Sequence, residues 1–206
     1  MKIDVVSDTV CPWCFVGKRR LEEAILALNR PAAEIRWRPF QLDPSIPLQG
    51  CDYLESLSRK YGEVAVKRMQ ADLQQVGEFV GIEFRFDKIQ RRPNTMDSHR
   101  LLEWAYAEGV QNEVAEGLFQ VFFCEGADIG DIETLAAVAE KAGMDGGQVS
   151  SRLKTDDGKR AVDEQCQQAI RQGVNGVPFF TFDGKYSFSG AQSAEVFRRA
   201  LDSLGS

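Results

Sequence analysis

Apolar and polar positions near the start of the chain predict a strand, a helix and a second strand. Residues 3–6 are rich in β-branched side chains, which predicts a short buried strand. Residues 34–40 alternate apolar and polar side chains, which predicts a second strand, and Pro39 places that strand near a sheet edge. A helix is predicted between the two strands, because helical spacing separates Cys14, Leu21, Ile25 and Leu28. This β-α-β opening implies two parallel strands with a right-handed crossover.

The middle of the chain has the apolar period of helices. Asp131 is a predicted N-cap, directly before the last of four apolar stripes. The stripes are formed by Val66, Met69, Leu73, Val76 and Val80, by Leu101, Leu102 and Ala105, by Val110, Val114, Leu118, Val121 and Phe122, and by Ile132, Leu135, Ala136 and Ala139. A further helix is predicted over residues 156–172. The middle of the chain is therefore predicted to be helical.

The end of the chain returns to strand patterns. Residues 177–182 predict a strand, Asp183-Gly184 is a strong hairpin signal, and residues 185–189 predict the returning strand. A last amphipathic helix follows, with Ser193 as its predicted cap. Strands at both ends around helices favour one α/β domain, residues 1–45 with 157–206, split by a helical insertion of residues 46–156.

Composition narrows the classes of partner. The chain has 206 residues, of which 43% are hydrophobic, so it is long enough to bury a core without metal or disulfides. Its net charge of -6 disfavours nucleic acid or an anionic membrane as a partner. No apolar run reaches the roughly 18 residues of a membrane span. The N-terminus shows no charged region followed by an apolar stretch, so a cytoplasmic location is expected.

The feature that carries chemistry is Cys11-Pro12-Trp13-Cys14. The motif alone is weak evidence, but it follows the first strand and begins the first helix, the context of a redox dithiol. Pro12 suits the first helical position, which puts Cys11 at the N-cap, where the helix dipole favours a thiolate. Cys14 is expected one turn later, buried, as the thiol that resolves a mixed disulfide. Trp13 is expected to be exposed.

Other interpretations of the two cysteines are a zinc site and a pair of structural thiols. Zinc needs four ligands, and the chain has a single histidine, His99, and no second C-x-x-C, so no metal is predicted. A second candidate element is the loop before the late strand, which contains Val177-Pro178. The residues alone allow this bond to be trans or cis, and a functional role would require it to lie opposite Cys11.

The chain resembles the DsbA-like branch of the thioredoxin superfamily, and more narrowly its FrnE-type and 2-hydroxychromene-2-carboxylate isomerase-like members. The resemblance covers nearly the whole chain, and its motifs occur in the order found in that family. They are Asp4-Val5-Val6-Ser7-Asp8 with the dithiol, Asn94-Thr95 with Ser98-His99-Arg100, Gly173-Val174 with Gly176-Val177-Pro178-Phe179-Phe180, and Ser189-Gly190-Ala191-Gln192.

The resemblance implies a thioredoxin fold with a helical domain inserted between its halves. It implies that Val177-Pro178 is a cis peptide packed against the dithiol, and that the backbone of Val177 pairs with an extended substrate. It also implies that Cys11 is the attacking thiol, with Pro12 and Trp13 beside it in contact with substrate.

The family that the chain resembles also includes proteins that catalyse a different reaction. Isomerase-like and kappa-class glutathione transferase members have serine in place of Cys11 and use glutathione as cofactor, whereas this chain keeps both cysteines. The prediction is therefore a thiol–disulfide oxidoreductase that requires no cofactor, with glutathione as a redox partner or cosubstrate. The alternative is a glutathione-dependent isomerase or transferase acting on a small aromatic metabolite. Glutathione, if bound, would contact Val177 and the stretch Gly190-Ala191-Gln192.

Two interpretations of His99 stay open: a substrate contact or proton carrier near the dithiol, and a hydrogen-bonded residue between the insertion and the sheet.

No role is predicted for the other cysteines, Cys51, Cys124 and Cys166. The expected partner is a thiol- or disulfide-bearing protein or small molecule, and the expected state is a monomer or a homodimer. A third hypothesis is a non-catalytic binding domain that retains the fold.

Overall fold

The centre of the molecule is a four-stranded sheet, as shown by a computed structural model that describes residues 1–28 and 33–203. The strands of the described part are β1 (Lys2–Ser7), β2 (Glu34–Pro39), β3 (Cys51–Asp52), β4 (Arg91–Arg92), β5 (Phe179–Phe182) and β6 (Tyr186–Ser189). The sheet order is β2-β1-β5-β6, with β1 parallel to β2 and the other pairs antiparallel. Strands β3 and β4 form a separate two-stranded ribbon.

Helices join and cover the strands. They are α1 (Pro12–Ala27), α2 (Tyr53–Tyr61), α3 (Glu63–Phe79), α4 (Met96–Glu108), α5 (Gln111–Gln120), α6 (Ile132–Lys141), α7 (Gly146–Leu153), α8 (Lys159–Arg171) and α9 (Ala194–Ser203). A 3₁₀ turn covers Phe86–Lys88, and a π-helical turn, Val121–Glu125, continues α5. Helices α2 to α7 and the ribbon lie between β2 and α8. The predicted thioredoxin fold with a helical insertion is therefore confirmed.

The late hairpin fixes where the Val177-Pro178 bond lies. Asp183 and Gly184 both have positive φ, but Phe182 pairs with Tyr186, so the turn has three residues rather than the predicted two. Strand β5 begins by pairing Phe179 with Val6, near the end of β1. The predicted start at Val177 was wrong by two residues, because Pro178 has no N–H for the ladder. The proline therefore enters the sheet beside the loop that leads to α1.

The insertion and the sheet share one aromatic core. Phe15, the residue after Cys14, stacks on Phe119 with ring centroids 5.2 Å apart and meets Phe84 edge-on at 6.2 Å. Lys18, one turn after Cys14, is buried and pairs with Glu116 of α5 at 2.8 Å. The helix that carries the dithiol is therefore held in place by the insertion.

The outer edge of β2 is covered by one buried side chain. The Trp37 N–H donates to Gln111 Oε1 at 2.8 Å, and Gln111 Nε2 donates to the Trp37 carbonyl at 2.9 Å. The same nitrogen donates to the Leu102 carbonyl at 3.0 Å. Gln111 thus satisfies edge groups that a further strand would otherwise pair.

Replacing Gln111 with Leu is expected to lower the free energy of unfolding by about 2 kcal/mol or more, because buried backbone groups of β2 lose their partners. Urea unfolding measures the change. Gln75→Leu, at an exposed position on α3, is the matched control. An equal, small effect in both variants would contradict this account of the edge.

Within residues 1–28 and 33–203, none of the helices combines the length and the hydrophobicity that a membrane span requires.

Candidate active site

Cys11 lies where β1 passes into α1. Its N–H donates to the Asp8 carbonyl at 3.0 Å, which closes a tight turn after the strand. Cys11 is the N-cap of α1 and Pro12 is the first helical residue, as the sequence predicts. Trp13 is 38% exposed beside them. The loop therefore presents Cys11 at the positive end of a helix.

Cys14 lies behind Cys11 and is fully buried, with 0% exposure against 4% for Cys11. Burial raises the pKa of Cys14 well above its usual range, and the hydrogen bond and the charge of Cys11 raise it further. The Ser7 hydroxyl and the Asp8 backbone oppose this rise. Both cysteines are free thiols in the structure. The two thiols therefore occupy different environments, as an attacking and a resolving cysteine would require.

The Val177-Pro178 bond is cis, as the resemblance implies. The Cys11 thiol donates a weak hydrogen bond to the Val177 carbonyl, with sulfur and oxygen 3.7 Å apart. Gly17 of α1 allows the proline to approach, since a Cβ there would lie only 3.2 Å from Pro178 Cγ. The structure thus brings Cys11, Cys14, Val177 and Pro178 together.

The difference between the two thiols predicts an order of alkylation. At about pH 7.5, iodoacetamide should modify Cys11 at least about tenfold faster than Cys14, because the raised pKa and burial of Cys14 leave little accessible thiolate. Cys14 should react appreciably only at pH values above the ordinary thiol range. Peptide mass spectrometry after timed quenching measures both rates. In urea-unfolded protein the two rates should converge, whereas equal rates in the folded protein would contradict the assignment.

Below the dithiol loop lies a buried acid. Asp8 Oδ2 accepts from the Leu42 N–H at 2.8 Å, and Asp8 Oδ1 lies 3.3 Å from His99 Nε2. His99 Nε2 is also 3.1 Å from the Phe40 carbonyl, which can only accept, so this nitrogen carries a hydrogen. His99 Nδ1 is buried without a partner. The hydrogen bonds of the ring are therefore made through Nε2 alone.

The interpretation of His99 as a substrate contact or proton carrier gains no support from the structure. Its side chain is only 1% exposed and faces Asp8 and Phe40. The other interpretation, a hydrogen-bonded residue between the insertion and the sheet, fits the structure.

The Ser98-His99-Arg100 motif ties α4 to three other segments. The Ser98 and Thr9 hydroxyls are 2.8 Å apart, next to the contact between His99 and Asp8. Arg100 turns the other way and binds the segment that precedes α8. The sequence gives no sign of these pairings, because 89 to 91 residues separate the partners in the first two contacts. The motif thus joins α4 to the dithiol loop and to the segment before α8.

Next to Cys11 is a cavity of about 240 Å³. One wall is formed by Cys11, Pro12, Trp13 and Val177. The opposite wall comes from the insertion and includes Tyr53, Leu57, Met69 and Leu73. Cys14 does not line the cavity. The structure therefore places Cys11 as the thiol in the wall of a largely apolar site, and it places Pro12, Trp13 and Val177 beside it.

The Gly190-Ala191-Gln192 stretch lies behind Pro178. The Gly190 N–H donates to the Pro178 carbonyl at 2.7 Å, and Arg20 donates to the Ala191 carbonyl at 2.5 Å. None of the three residues lines the cavity beside Cys11. Their assignment to glutathione stays a prediction.

The other cysteines lie away from the cavity. Cys51 and Cys124 are half-buried, and Cys166 on α8 is buried. Burial, followed by the charge of Asp8, raises the pKa of Cys166 to about 12. Among the residues that the structure describes, no group of three or more His, Cys, Asp or Glu residues could hold a metal ion.

A family model and a solved structure point to the same family. The DSBA-like thioredoxin domain model matches residues 2–202. A probable DsbA oxidoreductase from Streptomyces coelicolor is similar, with 32% identity, a TM-score of 0.90, and 98% of this chain and 89% of that chain covered.

More distant structures share the fold. A 2-hydroxychromene-2-carboxylate isomerase has 21% identity and a TM-score of 0.75, with 100% of this chain and 96% of that chain covered. The cytosolic disulfide reductase DsbM from Pseudomonas aeruginosa, solved with glutathione, has 15% identity and a TM-score of 0.69, with 99% and 98% covered. At these identities the similarity shows the fold alone.

Proposed function

The chain belongs to the DSBA-like thioredoxin domain family, and we propose that it is a thiol–disulfide oxidoreductase in which Cys11 and Cys14 exchange a disulfide with a substrate. The observation that carries the proposal is the asymmetry of the two thiols. Cys11 is at the N-terminus of α1 and in the cavity wall, whereas Cys14 is buried behind it with a raised pKa. This arrangement gives each thiol one step of a dithiol exchange.

In the first step, the Cys11 thiolate attacks one sulfur of the substrate disulfide. A bond forms between Cys11 Sγ and that sulfur, and the other substrate sulfur leaves as a thiolate that takes a proton from solvent. In the second step, Cys14 loses its proton and attacks Cys11 Sγ, which releases the second substrate sulfur. The dithiol is then oxidised and the substrate reduced by two electrons. The reverse sequence oxidises a substrate dithiol.

Residues around Cys11 support the first step. The Val177 carbonyl accepts from the Cys11 thiol in the resting state, and this hydrogen bond is lost when the thiolate forms or bonds to substrate. That carbonyl is then free to accept from an extended backbone in the cavity. We also propose a cytosolic location, where a reducing thiol pool keeps the pair reduced and the protein acts as a reductase or isomerase.

Trapping of a mixed disulfide tests the proposal. Cys14→Ser should accumulate protein that is disulfide-bonded through Cys11 to its substrate, because the release step is lost. Incubation with a peptide disulfide and non-reducing electrophoresis measure this product. Cys11→Ser is the matched control and should trap nothing. Failure of Cys14→Ser to form any adduct through Cys11 would contradict the proposal.

A second candidate is the glutathione-dependent isomerase or transferase acting on a small aromatic metabolite. The apolar cavity beside Cys11 favours it, because such a cavity suits a small organic ligand. The two functions respond differently to loss of Cys14. Isomerisation or transfer should survive Cys14→Ser, whereas dithiol exchange loses turnover.

A further inference from the structure

The cavity beside Cys11 has a polar side that disulfide exchange does not explain. Three residues that carry hydrogen-bond donors line it, each from a different element: Tyr53 of α2, Gln70 of α3 and Arg92 of β4. Tyr53 and Arg92 are both buried. Burial raises the pKa of Tyr53 to about 12, against the opposing effects of Gln70 and Arg92. The Tyr53 hydroxyl therefore keeps its proton at neutral pH and can donate a hydrogen bond.

Gln70 is the unsatisfied member of this group. Its amide lies close enough to the Tyr53 hydroxyl to affect that pKa, yet Gln70 Nε2 is buried and makes no hydrogen bond of normal geometry. A buried donor without a partner is costly, so native proteins rarely keep one without a reason. An acceptor oxygen on a ligand in the cavity would satisfy it.

The charged and apolar residues of the cavity wall indicate which class of ligand would supply that acceptor oxygen. The charged lining residues are Lys60 and Arg92, both cations. Arg92 is 3.2 Å from Asp43, which balances part of its charge, but Asp43 does not line the cavity. Most other lining side chains are apolar, including Leu57 and Leu73. A ligand with an apolar body and a negatively charged oxygen matches both parts of the wall.

We propose that the cavity binds small organic disulfides or thiols that carry a carboxylate, with the carboxylate at Tyr53, Gln70 and Arg92 and the sulfur at Cys11. The assignment rests on the proposed function and specifies its substrate class. The cavity, at about 240 Å³, is smaller than the roughly 300–1,000 Å³ of sites for drug-sized ligands, which fits one ring or a short chain. The exchange then follows the two steps above: the substrate disulfide becomes two thiols, and Cys11 and Cys14 become a disulfide.

Two aromatic disulfide reagents test the carboxylate contact. 5,5′-Dithiobis(2-nitrobenzoate) carries a carboxylate on each ring, whereas 4,4′-dithiodipyridine carries none. Stopped-flow absorbance gives the rate constant of each reagent with Cys11 at fixed ionic strength, after subtraction of the reaction of Cys11→Ser. Gln70→Leu and Tyr53→Phe should each slow the nitrobenzoate reagent by about tenfold, the scale of one hydrogen bond to a charged group. The neutral reagent should change by less than about twofold in the same variants, because it makes no such contact.

Gln75→Leu is the matched control on the same helix, since Gln75 is exposed and does not line the cavity. It should leave both rate constants unchanged. Equal slowing of both reagents in Gln70→Leu, or no slowing of either, would overturn the carboxylate site while leaving the dithiol chemistry intact. A Cys11 that fails to react even with the neutral reagent would instead contradict the proposed function. Because Gln70 Nε2 has no partner to lose, Gln70→Leu should fold even where Tyr53→Phe does not.

Discussion

Cys11→Ser is expected to lower the rate of disulfide exchange by at least about a thousandfold, the scale on which enzymes lose activity with their nucleophile. A serine hydroxyl is not ionised at neutral pH and cannot form the mixed disulfide. Reduction of a dye-labelled peptide disulfide, with dithiothreitol as the electron donor, measures the effect. The fold should be unaffected, because serine is close to cysteine in size and its hydroxyl can replace the weak hydrogen bond of the thiol to the Val177 carbonyl.

Cys166→Ser is the matched control for that experiment. Cys166 is a buried thiol on α8 that does not line the cavity, so its loss should leave the exchange rate within about twofold of the parent. Substantial activity in Cys11→Ser, or loss of activity in Cys166→Ser, would mean that another thiol attacks the substrate.

Arg100→Met is expected to lower the free energy of unfolding by about 3–5 kcal/mol, the range seen when a buried charged group is removed from its partners. Arg100 has 0% exposure and pairs with Asp97 at 2.7 Å. Its guanidinium also donates to the backbone carbonyls of Arg152, Leu153, Thr155 and Asp157. These carbonyls belong to the end of α7 and the segment leading into α8. Methionine keeps much of the apolar length but removes the guanidinium from all of these acceptors, of which the Arg152 carbonyl also accepts from Thr155.

Urea unfolding of three variants separates this role from a general effect of charge. Arg160→Met, at an exposed position on α8, should change stability by less than about 0.5 kcal/mol. Arg100→Lys keeps the charge but not the planar guanidinium with its five N–H donors. Its free energy of unfolding should therefore lie between those of Arg100→Met and Arg160→Met. A loss below about 1 kcal/mol for Arg100→Met would contradict the role of this side chain in joining the insertion to α8.

Elements with a regular apolar stripe could be predicted from sequence, and elements without one could not. Helix α4 was predicted because Leu101, Leu102 and Ala105 are spaced for one buried face, and all three are buried. Strands β3 and β4 could not be predicted, because two residues each are too few to show an alternation. Helix α2 is absent from the predicted stripes although Tyr53, Leu57 and Tyr61 are spaced four residues apart.

The candidate site divides in a similar way. The dithiol is local in sequence, so its helix N-terminus and the order of burial of Cys11 and Cys14 could be predicted. The contact of His99 with Asp8 and the placing of Gln70 near Tyr53 depend on how the insertion folds back over α1. A single sequence carries no signal for such pairs, which is why it leaves two interpretations of His99 open.

The most direct test of the central claim is the redox equilibrium of the purified protein in graded glutathione buffers. The fluorescence of Trp13, beside both thiols, should follow one reversible two-electron transition, and alkylation should count two thiols protected in the oxidised state. Cys14→Ser should show no such transition. The absence of a transition in the parent protein, with saturable non-covalent binding of glutathione, would contradict the dithiol mechanism and favour the isomerase.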